Sequence, residues 1–137
     1  MAWIAAKTDW DATDYYNYGD VNRVESNTDY LDDYITTNIG AIPATTGIKM
    51  DWDNMGIPDK DDFNKLEGNV QALRNCFAGD PTGWVAPKIT WVSLDKFDYS
   101  DANRLETDLS LLKTMSENVV AAYLFCGNFI CGEGTEF

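Results

Sequence analysis

The chain has 137 residues, of which 45% are hydrophobic and 13% aromatic, with a formal net charge of −13 and a pI near 4.1. That apolar content excludes wholesale disorder, and the length suits one domain or a short array of small units. The acidity excludes nucleic acid and anionic membrane surfaces as partners, because both require a basic patch, and the ten Lys and Arg form no run.

The first ten residues, MAWIAAKTDW, lack the charged start and apolar length of a signal peptide, and no later run approaches a membrane span. AWIAAKTDW reads as a weak short strand. Next comes a phrase that the chain spells three times: DWDATDYYNYGDVNRVESN, then DWDNMGIPDKDDFNKLEGN, then TWVSLDKFDYSDANRLETD. Trp10, Trp52 and Trp91 head the copies, and Asn22, Asn64 and Asn103 follow at one fixed spacing. A basic residue comes next in each copy, and then Glu25, Glu67 or Glu106. Successive copies begin roughly 40 residues apart, a period in the range of structural repeats.

The second half of each phrase predicts a helix. Val21, Val24, Leu31 and Ile35 form one apolar stripe at helical spacing, interrupted only by Thr28. Phe63, Leu66, Val70, Leu73 and Phe77 repeat it, as do Ala102, Leu105, Leu109 and Leu112. Gly19, Asp61 and Ser100 are read as N-caps, with Asp20, Asp62 and Asp101 against the positive end of the dipole. Asn22, Asn64 and Asn103 then stand where a short amide could reach back to the cap. Asn38 with Gly40 and Gly79 with Pro81 stop the first two helices. The third fades near 116–118, so each helix spans about 16–19 residues, or about 25–28 Å.

IKMDW and KITWV, ahead of the second and third turns, alternate apolar with polar and suit short half-buried strands. The end of the chain, VVAAYLFCGNFICGEGTEF, reads as a hairpin or extended element because of its β-branched residues and Gly breaks. The predicted fold is therefore mainly α with short β elements (α+β). Three strand–turn–helix repeats, approximately 7–40, 48–80 and 87–118, form a small helical bundle in a single domain, 1–137. A C-terminal β-hairpin or extended tail, 119–137, follows them.

Chemistry is hard to place on this chain. It contains no His, which removes the usual general base, imidazole metal ligand and Ser-His or Cys-His pair. Three equivalent carboxylates, Glu25, Glu67 and Glu106, fit a capping or inter-repeat salt-bridge role better than an acid–base pair, which needs unlike environments. Asp51, Asp53 and Gly56 partly match a calcium loop, but Met55 and Asp62 break it and the third copy lacks the ligands. No catalytic residue, metal site or cofactor is expected. Cys76, Cys126 and Cys131 read as reduced thiols, with a Cys126–Cys131 bridge left open. Tyr15, Tyr16, Tyr18, Phe97 and Tyr99, beside acidic residues in the turns, are core or subunit contacts or else platforms for sugar rings.

The phrase KTDW-x₃-DYYNYGDVNRVESN, its further W-x₁₁-N-[RK]-[VL]-E copies and the ending LFCGNFICGEG together resemble a recurring module of phage and prophage proteins from Gram-positive bacteria. Such modules occur among tail, baseplate and fibre-associated genes. Lys65 in place of Arg, Asp108 in place of Asn, and the Met55–Gly56 turn depart from the strictest repeat. The resemblance implies a non-enzymatic structural component, made in the host cytoplasm and built into the virion. It further implies a homo-oligomer that joins other virion proteins. A saccharide-binding module for host adsorption is the alternative.

Overall fold

The computed structural model describes residues 2–56 and 58–128, with side chains described through residue 122. Three helices carry the architecture: α1 (Tyr18–Asn38), α2 (Lys60–Arg74) and α3 (Tyr99–Asn128). No strand occurs among the described residues, so the fold is all-α and not α+β.

The caps stand two positions earlier than the sequence reading placed them. Asn17 and Asp59 cap α1 and α2, each accepting from the two backbone N–H groups of the first turn. Asp98 does the same for α3, accepting from Ser100 N–H at 3.0 Å and Asp101 N–H at 3.3 Å. Asp20, Asp62 and Asp101 complete reciprocal capping boxes by accepting the N–H of the capping residue at 2.8–3.0 Å. Gly19, Asp61 and Ser100 are thus first-turn residues, not caps. At its far end α1 closes onto Gly40, whose φ of +85° suits a left-handed helix stop, and whose N–H meets the Ile35 carbonyl.

One apolar stripe from each helix meets the other two. Val24, Leu31, Ile35, Leu66, Val70, Leu73, Leu105, Leu109 and Leu112 are all essentially inaccessible. Each such side chain contributes roughly 1.5–3 kcal/mol of burial. Phe63 and Phe77 are half-buried against this cluster. Thr28, the polar break in the first stripe, is also buried; its hydroxyl donates to the Val24 carbonyl at 2.8 Å, satisfying it within the helix. The three N-termini gather at one end, where Asn17, Val21, Pro58, Phe63 and Phe97 line a common cleft.

α3 does not fade near 116–118. It continues to Asn128 and has 30 residues, whereas α1 has 21. The excess corresponds to about 14 Å of helix. The β-branched residues Val119 and Val120 follow a helix already propagating, and adding residues to it costs no new nucleus. The predicted extended element is therefore helical over 119–128; the rest of that expectation, and the Cys126–Cys131 bridge, lie outside the described residues.

Candidate functional site: three clasps between repeats

The predicted strands at 48–52 and 88–92 are extended single segments with no neighbouring strand to pair with among the described residues. Their backbone groups must still find partners. Helix side chains supply them, and in each case the helix that grips Trp belongs to a different repeat.

Trp52 is held by α1. Its N–H donates to Asn22 Oδ1 at 2.8 Å, and Asn22 Nδ2 donates to the Trp52 carbonyl at 2.9 Å. Its indole Nε1 donates to Glu25 Oε2 at 2.8 Å, and Lys49 N–H reaches Glu25 Oε1 at 3.1 Å. Trp91 is held by α2 in the same way, through Asn64 at 2.7 and 3.0 Å and Glu67 at 2.7 Å, with Lys88 N–H on Glu67 at 2.8 Å. Trp10 is held by α3, through Asn103 at 2.8 and 2.9 Å and Glu106 at 3.0 Å, with Lys7 N–H on Glu106 at 3.1 Å. Repeat two thus grips repeat three, repeat one grips repeat two, and repeat three grips repeat one. The array is a closed ring.

A cation completes each clasp. Arg23 forks onto Glu106 at 2.7 and 2.5 Å, and Arg104 forks onto Glu67 at 2.9 and 2.6 Å. Lys65 reaches Glu25 at 3.2 Å through one nitrogen. The same ammonium donates to the Gly47 carbonyl at 2.7 Å, and a Cβ on Gly47, whose φ is +60°, would stand 3.1 Å from the Lys65 stem. Lys7, Lys49 and Lys88 lie over the faces of Trp10, Trp52 and Trp91 at 5.0, 5.1 and 4.0 Å. The three Trp and three Glu are buried, and the Glu carboxylates are essentially inaccessible. Glu67 and Glu106 each accept four hydrogen bonds, which fills the capacity of a carboxylate.

Six positions before each Trp, a second side chain ties the same segment to another helix than the one that grips the Trp. Asn27 exchanges two hydrogen bonds with the Ile4 backbone at 2.9 and 2.8 Å, and Asn69 does so with Thr46 at 2.9 Å each. These two lie one helix further round the ring than the clasp on the same segment, so each segment bridges two helices. The third position is Asp108. Its Oδ1 accepts from Val85 N–H at 3.3 Å, while its buried Oδ2 has no partner. A carboxylate cannot donate to the Val85 carbonyl as an amide would. Burial raises the Asp108 pKa to about 7, against the lowering effects of the Val85 N–H and Arg104.

Asn22, Asn64 and Asn103 therefore do not reach back to their own caps; they bind backbone across a groove. Sequence reasoning marked Asp108 only as a departure from a repeated Asn and gave Asn27 and Asn69 no role, although their constant place five positions after the first Asn was a usable signal.

The aromatic turns divide into two groups. Tyr16 and Phe97 pack inward, with Tyr16 4.8 Å from Phe97 and 5.2 Å from Trp10, and Phe97 4.5 Å from Phe63. Burial pushes the Tyr16 phenol far above its ordinary pKa, and its buried hydroxyl has no partner. Tyr15 is 90% exposed, and Tyr18 and Tyr99 are each half-exposed. Tyr16, Tyr18, Phe63 and Phe97 share a cleft of about 390 Å³ with Asp53 and Asn54. Tyr15 and Tyr99 are not part of it.

Asp53 accepts from Met55 and Gly56 N–H in a turn, and Asp51 pairs with Lys49 at 3.1 Å. Among the described residues, no three His, Cys, Asp or Glu are grouped to hold a metal ion. Nor does any helix there have the length and apolarity to cross a membrane. Cys76 is half-buried, donates to the Ala72 carbonyl, and has its thiol pKa raised by burial.

Comparison with protein-family models returns no match, and neither the curated proteins nor the solved structures return a significant one.

Proposed function

We propose that the protein is a structural component of a phage particle, at the tail, baseplate or fibre, where it joins other particle proteins. It performs no catalysis and belongs to the virion. The placement in a phage rests on the resemblance of the repeated phrase to phage and prophage modules. The structural role rests on one observation. The groups that recur, Trp, Asn and Glu, spend their polar atoms on clasping one repeat to the next, and Glu67 and Glu106 have no acceptor site left for a substrate. Contact with particle proteins falls to the end where the helices start, whose loops expose Tyr15, Met55 and Leu94 at 90%, 86% and 99%. Leu94 does so with a φ of +77°, a costly conformation for a side chain that buries nothing in this chain.

The test is mass spectrometry of purified particles together with capture of particle proteins on the immobilised chain. The protein is expected among stoichiometric particle components. Replacing Tyr15, Met55 and Leu94 by Ser is expected to abolish capture without lowering the melting temperature. Absence from particles would overturn the reading.

A second reading, adsorption to host saccharides, is favoured by the cleft, which sets Tyr18 beside Asp53 and Asn54. Titration with cell-surface glycans tests it, with binding lost in Tyr18→Ala.

A further inference from the structure

We propose that the groove between α1 and α3 accepts residues 4–10 from a second copy of the chain, so that two copies exchange these segments and form a dimer. The groove reads an extended backbone and little else. Asn103 and Asn27 each bond both the N–H and the carbonyl of one residue, and Glu106 takes a backbone N–H and the indole. Any segment with Lys and Trp at the spacing of Lys7 and Trp10 meets those needs, and the same segment of another copy meets them identically.

Three observations single out this groove from its two counterparts. First, its Trp-side partners are 93 to 99 positions apart in sequence, whereas those of the other two clasps are 21 to 30 apart. The other two clasps join consecutive repeats, whereas this one joins the first segment to the last repeat, so its partner can come from a second copy with the links between consecutive repeats left intact. Second, segments 46–52 and 85–91 each run between two helices, so moving either would tear a helix from the core. Among the described residues no helix precedes segment 4–10. Third, the link from Trp10 to α1 is a ready hinge. Residues 11–15 are exposed, and a local turn holds them, with Asp14 N–H on the Asp11 carbonyl and Asp11 accepting from Thr13. Opened out, residues 11–17 span about 23–25 Å. That reach lets Trp10 swing out of its own bundle towards an adjacent copy.

The geometry is that of a two-fold exchange in which each copy gives one segment and receives one. The proposal stands on the clasp alone, and it survives even if the protein proves absent from phage particles.

Two full-length variants test it by complementation. Trp10→Ala keeps an intact groove but spoils the segment; Asn103→Ala keeps the segment but spoils the groove. Neither can close its own ring properly. Mixed at equal concentration after brief warming, they are expected to give a 1:1 heterodimer in native mass spectrometry. The mixture should melt several degrees above either variant alone, even if one of them is unfolded by itself. A mixture that stays at the monomer mass and melts as the superposition of its parts overturns the proposal. A second chain, lacking Ala12 and Thr13, should raise the dimer fraction at least tenfold over the parent in light scattering. If it is instead a folded monomer, the hinge role is wrong.

Discussion

Trp10 and Glu106 are separated by 96 positions in the chain, yet the indole of one donates to the carboxylate of the other at 3.0 Å. The same bond joins Trp52 to Glu25 and Trp91 to Glu67 at 2.8 and 2.7 Å, across only 27 and 24 positions. A linear array of repeats leaves its first and last faces uncovered and needs special end units. Here the third helix grips the first segment, and no such end exists among the three repeats. Closure explains why so short a chain repeats one phrase three times: each copy supplies the tongue for one neighbour and the socket for the other.

The sockets set the first prediction. Asn64 supplies both hydrogen bonds to the Trp91 backbone, and those groups have no alternative partner in the groove. Asn64→Ala should lower stability by about 2–4 kcal/mol in urea unfolding, since two backbone groups are left unmet. A cap-type loss of about 1 kcal/mol would instead assign the residue to its own helix.

The three Glu should not be equal. Glu67→Gln takes the anion from two of the Arg104 nitrogens at once and leaves the guanidinium only Asp101 at 2.8 Å, and a loss of about 2–4 kcal/mol is expected. Glu25→Gln should cost less, because Lys65 retains the Gly47 carbonyl at 2.7 Å. Thermal melts of the two variants check the order. If Glu25→Gln is the worse of the pair, the second contact of Lys65 is not holding it.

Asp108 makes stability depend on pH. Its folded pKa lies near 7, above the ordinary 3.8 of an aspartate, so the folded state binds the proton more tightly than the unfolded chain. Its contribution is complete below about pH 4 and is lost as pH rises through 7. The charged groups facing it are Arg104 on its own helix and Glu67 on α2. Asp108→Asn supplies the missing donor to the Val85 carbonyl. At pH 8 this variant should gain about 1 kcal/mol and lose most of the decline between pH 4 and 7. An unchanged slope in denaturation series across that range would locate the dependence elsewhere.

Tyr16→Phe removes a buried hydroxyl that has no hydrogen-bond partner. Ring contacts with Trp10 and Phe97 remain. Stability should be unchanged or raised by up to about 1 kcal/mol. A loss of about 2 kcal/mol or more in calorimetry, the cost of breaking a buried hydrogen bond, would reveal a partner for the hydroxyl.

The sequence spoke clearly where one local rule sufficed. The stripes through Leu31, Leu66 and Leu105 face the core because helical spacing leaves them no other arrangement. The capping boxes left a signal too, since Asn17, Asp59 and Asp98 recur at one fixed distance after each Trp, each with an Asp three positions on, but the reading set the caps two positions late, at Gly19, Asp61 and Ser100. The turn residues Gly19 and Ser100 simply competed as caps and lost to Asx side chains better placed to accept. What period-two alternation could not show was the nature of the partner. Ile48, Met50 and Trp52 alternate because the backbone is extended, and that says nothing about whether a strand or a helix lies beside it. The pairing of Trp10 with the third Glu, and not with its own Glu25, needed three helices at fixed positions before it could be seen.

The central claim is that each repeated Trp is bonded to the Glu of another repeat and that the third closes on the first. Double-mutant cycles on Trp10/Glu106 and Trp10/Glu25, using Trp→Phe with Glu→Gln, measure this directly. A coupling of about 1 kcal/mol or more is expected for Trp10 with Glu106, matched by Trp52/Glu25 and Trp91/Glu67, and none for Trp10 with Glu25. Coupling of Trp10 to Glu25 with none to Glu106 would contradict it.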